Sequence, residues 1–256
     1  MTEKSEFKAQ PIIEHVRELK KRLVYCLLAF FVTTGISYYL AEDIYAFLVQ
    51  PLADVFPDLS NRRLIYTSLT EAFITYLKLA MFAGFFLSFP IIATQLYLFL
   101  APGLYKQERR ALVPYLIAAP TLFLSGAAFV YYLIFPAAWQ FFLGFESNGA
   151  NGGLPIQLEP KVSDYLSLSM HLMMAFGLSF QLPVVLILLV RSGMVEIDTL
   201  KKGRRYAIVL IVTVAAFITP PDIFSQIALS VPLYMLYEIS ILLCRNMDKK
   251  SEDTEE

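Results

Sequence analysis

Residues 111–145, ALVPYLIAAPTLFLSGAAFVYYLIFPAAWQFFLGF, run for 35 positions without one Asp, Glu, Lys or Arg. Roughly 18 to 20 apolar residues are enough to cross a hydrocarbon core, so this stretch identifies a chain that spans a membrane. As a straight helix it would extend roughly 50 Å, against a core of roughly 30 Å. It must tilt, bend or leave the bilayer, and Pro114, Pro120, Gly126 and Pro136 offer places to bend.

Five further charge-free runs surround it, at 23–41, 79–105, 165–190, 206–221 and 223–237. The expected fold is an all-α polytopic membrane protein with six transmembrane helices, at about 23–41, 72–100, 111–145, 164–190, 205–221 and 223–244. Composition agrees. The 256 residues are 57% hydrophobic and 17% charged, with mean hydropathy +0.58, where a soluble domain carries about 25% charged residues. One membrane domain is expected to fill residues 1–256, opening on a cytoplasmic amphipathic segment, 1–22, and closing on a disordered acidic tail, 246–256.

The charges orient the chain. Of 21 Lys and Arg, 17 fall in the N-terminal segment, the tail and the loops after the second and fourth runs. Lys/Arg-rich loops face the cytoplasm, so both termini are expected there. After the charged leader to Arg22, 19 apolar residues follow with no small-x-small cleavage site, so the first run reads as a retained anchor. Helices five and six are the short ones. Residues 206–221 and 223–237 reach only about 22–24 Å each and meet at the turn Thr219-Pro-Pro-Asp222, which predicts a locally thinned bilayer. Gly84, Pro90, Gly177 and Pro183 should curve the second and fourth helices. Segments 42–70 and 146–163 are expected outside, as loops.

Catalysis finds no support in the pattern. No HExxH helix, GxSxG elbow, phosphate loop or dinucleotide fingerprint occurs, and His15 and His171 stand far apart. Cys26 and Cys244 belong to no metal or redox spacing. No enzyme activity, metal, cofactor or nucleic-acid partner is expected.

Several polar residues stand out. On residues 11–23, Ile12, Val16, Leu19 and Leu23 share one helical face, and Glu14 and Glu18 another. Glu18 can pair with Arg22 one turn on, or accept an incoming planar guanidinium bidentately. In the loop FLAPGLYKQERR, Phe99 to Arg110, Glu108 complements a helix start, and Arg109 and Arg110 are orientation charges. Gln95, His171, Gln181 and Gln226 sit within apolar runs, where polar groups face protein or water. Lys78 can snorkel to the outer surface, Glu238 calls for a partner, and Asp222 can cap the sixth helix.

Four stretches together resemble TatC, the family of multispanning receptor subunits of the twin-arginine protein translocase. They are His15-Val-Arg-Glu18-Leu-Lys-Lys-Arg22-Leu, Phe99-Leu-Ala-Pro102-Gly-Leu-Tyr-Lys-Gln-Glu108-Arg-Arg110, Ala175-Phe-Gly-Leu-Ser-Phe-Gln181-Leu-Pro183 and Thr219-Pro-Pro-Asp222-Ile-Phe-Ser-Gln226. The resemblance implies a receptor for the twin-arginine signal peptides of folded export substrates. Such a receptor sits in the bacterial inner membrane, self-associates, and assembles translocation sites with the single-span proteins TatA and TatB, driven by the proton gradient or membrane potential. By motif position, Glu18 and Glu108 would accept the paired arginines, with Lys20, Arg22, Phe99 and Arg110 shaping that surface. Pro51 falls at an outer-loop position and Tyr131, Gln181 and Asp222 at polar or aromatic ones; Thr219 and Gln226 would lie where a partner helix docks. The family usually has Arg at the position of Lys20 and often Glu at that of Gln181. The alternative from the residues alone is a secondary transporter or channel for a small solute, with Gln95, His171, Gln181 and Glu238 lining a midplane site.

Overall fold

The computed structural model describes residues 12–56, 63–100, 113–147, 154, 156–191, 193–218 and 223–255. Described residues outside helices are few, and two isolated backbone bridges are the only strand-like pairings among them. Hydrocarbon supplies no water to backbone amides and carbonyls, and the helix satisfies them within its own segment. The helices are α1 (Ile12–Tyr39), α2 (Ala41–Ala53), α3 (Glu71–Leu100), α4 (Val113–Phe129), α5 (Phe135–Leu143), α6 (Val162–Ser179), α7 (Leu182–Arg191), α8 (Ile197–Lys202), α9 (Arg204–Ile218) and α10 (Ile223–Glu255).

Contacts between helices fix their directions. Arg22 meets Gln95 and Thr33 meets the carbonyl of Gly84, so α1 and α3 run antiparallel. Gln181 reaches the Ala119 carbonyl from the α6–α7 junction, while Gly126 of α4 lies against Phe176. Arg204 of α9 pairs with Glu238 of α10. Direction alternates from one pass to the next, which places the start of α1 and the end of α10 on one side. That side is called the near side below, and the side carrying α2 the far side.

Five spans are long and apolar enough to cross a membrane: Ile13–Tyr39, Glu71–Phe99, Tyr115–Leu143, Val162–Arg191 and Gln226–Asn246. The remaining pass, α9, has 15 residues, about 22 Å, and is short as expected. The sixth needs correction. It extends beyond the charge-free run because Glu238, the expected end of that run, accepts hydrogen bonds from Arg204 and Tyr234. With its charge partnered, the helix stays apolar to Cys244, and its span of 21 residues, about 31 Å, matches a bilayer core. The backbone of α10 also remains helical to Glu255, through the tail expected to be disordered.

Two further expectations shift. Segment 42–70 is not simply a loop, since α2 occupies its first part with Ala41, Leu48, Pro51 and Leu52 buried. The long third span contains a π-helical turn, Val130–Ile134, where the Phe135 amide donates to the Val130 carbonyl. That turn adds one residue to the helix, so the neighbours Val130 and Tyr131 are both buried and the inward stripe continues through Phe135, Ala138 and Trp139. α6 and α7 are separated at Phe180-Gln181, just before Pro183.

Lipid tails are as apolar as leucine, so helices in a membrane associate through close packing and polar contacts. α1 and α3 illustrate both. A Cβ on Gly84 would stand 2.7 Å from Thr34 Cα and 2.8 Å from Thr34 N. At that crossing Thr33 Oγ1 donates to the Gly84 carbonyl at 2.8 Å. Gly84→Leu should therefore push α1 off α3. Overpacking of about 1–3 kcal/mol corresponds to roughly 3–10 °C in the melting midpoint, to be read by thermal unfolding of the detergent-solubilised protein.

Candidate functional site

The near end of α1 presents two faces. Ile13, Val16, Leu19 and Leu23 are exposed, from 47% to 74%. His15, Glu18 and Arg22 lie on the other face and turn toward α3, each half-buried. The face against protein is thus the polar one. This end of α1 stands at the membrane edge, where exposed apolar side chains can rest on the interface while the charged stripe takes protein partners.

Those partners are at hand. Arg22 Nε donates to Glu18 Oε1 at 2.9 Å, and one terminal nitrogen donates to the same oxygen at 2.5 Å. The other terminal nitrogen donates to Gln95 Oε1 of α3 at 3.2 Å. Glu18 Oε2 accepts no hydrogen bond among the described residues. One turn further toward the near end, the rings of His15 and Phe99 stack at 4.3 Å with 15° between their planes. Glu18 and Arg22 keep 26% and 21% of their side-chain surface exposed, so water and ions reach the pair and weaken it. The arrangement can exchange one guanidinium for another on Glu18 while Gln95 retains Arg22.

Glu18, Arg22 and Phe99, picked out by motif, thus come together with two residues that sequence reasoning sets elsewhere. In sequence, Gln95 reads as an intramembrane polar group and His15 as a lone histidine. Their shared helical spacing with Glu18 and Arg22 is the available signal for His15; nothing in sequence announces the 22-to-95 register. Lys20 is exposed on α1, beside the cluster. Glu108, Arg110, Thr219 and Asp222 lie outside the described residues. On α8, Lys201 donates to Asp198 at 2.9 Å and holds that carboxyl below its ordinary pKa.

The other expected residues lie apart. Gln181 Nε2 donates to the Ala119 carbonyl at 3.0 Å, bridging the α6–α7 junction to α4. The Gln226 side chain makes a long contact, 3.4 Å, to the Val212 carbonyl. Glu238 is held by Arg204 at 2.8 Å toward the near side, and His171 is exposed on α6. Gln95, His171, Gln181 and Glu238 therefore do not converge, which removes the basis for a midplane solute site.

Pro51 and Tyr131 turn out to be one device. Proline has no N–H to give the carbonyl four residues back, which in α2 is that of Phe47. Tyr131 Oη donates to that carbonyl at 2.9 Å, and its ring stacks on Phe47 at 4.4 Å. Next to it, Tyr165 Oη of α6 donates to the Leu48 carbonyl at 2.7 Å. α2 is thereby fastened to the third and fourth spans on the far side.

Comparison with known proteins bears on all of this. Residues 14–232 match the family model of the Sec-independent protein translocase protein (TatC). The chain is 47% identical over 231 residues to the Sec-independent protein translocase protein TatC of Rickettsia prowazekii, covering 90% of this chain and 91% of that one. It is 40% identical over 247 residues to the protein of the same description from Escherichia coli, covering 96% and 93%. Among solved structures it resembles the crystal structure of the twin arginine translocase receptor TatC. The TM-score is 0.77 and identity 34%, covering 90% of this chain and 98% of that one.

The Pro51–Tyr131 device can be tested by a double-mutant cycle. Tyr131→Phe should cost about 1 kcal/mol by leaving the Phe47 carbonyl unpaired. In a Pro51→Ala background the alanine supplies an N–H to that carbonyl, and the cost of Tyr131→Phe should shrink. Thermal unfolding of the four proteins gives the coupling; strictly additive effects would refute it.

Proposed function

The chain belongs to the TatC family, and from that premise we propose how its near face receives substrates. It is a multi-pass membrane receptor of twin-arginine protein export. The near face is the cytoplasmic one, in the bacterial inner membrane, because the basic residues concentrate there. Glu18 and Glu108 accept the two guanidiniums of a twin-arginine signal peptide. Lys20 and Arg110 shape the rim, and Phe99 with His15 forms an aromatic floor beside it.

The observation that carries this reading is the Glu18–Arg22–Gln95 triad. It already holds a guanidinium on the Glu18 carboxylate, with one oxygen open among the described residues and a second anchor for the resident arginine. A signal-peptide arginine takes the place of Arg22 without stranding it. Lysine lacks the planar fork and is a poorer substitute. The apolar part of the signal peptide then enters the bilayer beside the exposed face of α1.

TatA and TatB are the partner proteins of this reading. They dock on the last two passes, where Thr219, Asp222 and Gln226 cluster in sequence and where α9 exposes Val209, Leu210 and Phe217. Gln181 serves as a neutral bridge between helices, and Pro51 with Tyr131 keeps the far side in shape for self-association. The chain acts without cofactor, metal or nucleic acid, and performs no catalysis of its own. The 15-residue α9 thins the membrane locally and lowers the barrier for cargo.

Two measurements test this. Glu18→Ala and Glu108→Ala should each reduce signal-peptide crosslinking and export of a twin-arginine reporter about tenfold or more, the effect of losing a charge-assisted hydrogen-bond pair. Correctly inserted variants that export normally would overturn the assignment. Lengthening α9 by four apolar residues should slow export while leaving crosslinking intact; undiminished export would remove the thinning role.

A further inference from the structure

A groove between α3 and α6 takes no part in receiving the signal peptide. Its cavity is about 490 Å³ and its lining includes Lys78, Ser167, His171, Phe82, Met174 and Leu178. Lys78 and His171 are exposed, and Lys78 has no hydrogen bond or ion pair among the described residues. An unpaired ammonium on a spanning helix calls for an anion or a route to the interface.

Depth can be read from the helices themselves. At the far ends of α3 and α6, Ser163 Oγ donates to Glu71 Oε1 at 2.6 Å, and from there the two helices descend together. Lys78 is seven residues below Glu71 and Met170 seven below Ser163, so both stand about 10 Å beneath that layer. From Lys78 to Gln95, the partner of Arg22, α3 covers about 26 Å with no charged residue between. That is close to the roughly 30 Å of a hydrocarbon core. Lys78 and the Arg22–Gln95 contact therefore mark the two interfaces, and Lys78 lies at the level of the far-leaflet headgroups.

The lining is sorted by polarity along this axis. Ser167, Lys78 and His171 stand at the interface end. Phe82, Met174 and Leu178 continue toward the membrane centre, one to two turns deeper. That order, a cation and hydroxyl at headgroup level with apolar side chains below them, matches the head and tail of an amphiphile.

We propose that this groove binds one anionic phospholipid of the far leaflet. Its phosphate accepts from the Lys78 ammonium, the Ser167 hydroxyl and a ring N–H of His171, and the first part of an acyl chain lies along Phe82, Met174 and Leu178. Cation and groove are both required: the first selects charge, the second selects an amphiphile over a free anion.

The test uses the full chain in detergent, incubated with equal amounts of phosphatidylglycerol and phosphatidylcholine and examined by native mass spectrometry. Wild type should retain the anionic lipid about fivefold over the zwitterionic one, the preference expected of one basic residue near the surface. Lys78→Gln should remove that preference and Lys78→Arg should keep it. Met174→Trp, which fills the inner groove, should lower retention of both lipids, and millimolar inorganic phosphate should displace neither. Thermal unfolding of each variant confirms that it is folded. Equal retention of the two lipids by wild type, wild-type behaviour of Lys78→Gln or Met174→Trp, or displacement by free phosphate would overturn the proposal.

Discussion

A backbone carbonyl in hydrocarbon that loses its amide donor has no water to replace it, and much of this architecture answers that constraint. Prolines lie inside α2, α3, α4 and α10. At Pro51 the carbonyl left without an amide takes the hydroxyl of Tyr131 from another span. The same kind of bond recurs where no proline forces it: Thr33 to Gly84, Tyr165 to Leu48, Gln181 to Ala119 and Tyr237 to Leu200. Each joins a side-chain donor on one element to a main-chain carbonyl on another. Apolar packing gains little over lipid contact, so these bonds and the close approach at Gly84 decide which helices are neighbours.

The span pattern was legible because charge is costly in a bilayer and runs without it can be counted. The same count failed at Glu238. A carboxylate ends an apolar run in sequence, but Arg204, 34 residues away, and Tyr234 hold it in the fold. α2 escaped notice for a related reason: Glu42, Asp43 and Pro51 break its composition, and its burial depends on tyrosines far along the chain. The irregularity of the third span is the π turn at Val130, between the expected sites Gly126 and Pro136. Tyr131, on that turn, stacks on Phe47.

The candidate site was legible in part. Motif position marked Glu18, Arg22 and Phe99, and residue type marked Gln95 as a polar group needing company. Amphipathicity separated the two faces of residues 12–23 without telling which of them meets protein. At this interfacial end of α1 the stripe His15, Glu18 and Arg22 turns toward α3 and the apolar stripe stays exposed. What could not be read was register. Only the antiparallel crossing of α1 and α3 brings Gln95 to Arg22.

The two sides of the molecule are built differently. On the far side, α2 is bonded to two other spans through Tyr131 and Tyr165. On the near side, α1 rests on α3 along one polar face, and only 6% of its spanning window is buried. The far side thus resists deformation while the near end of α1 carries its charges at a partly solvated edge. At such an edge the proposed exchange of one guanidinium for another on Glu18 would be a small change in free energy, with Gln95 as a second partner for Arg22. Selectivity then has to come from geometry rather than from net charge, and a planar fork meets that requirement where an ammonium does not.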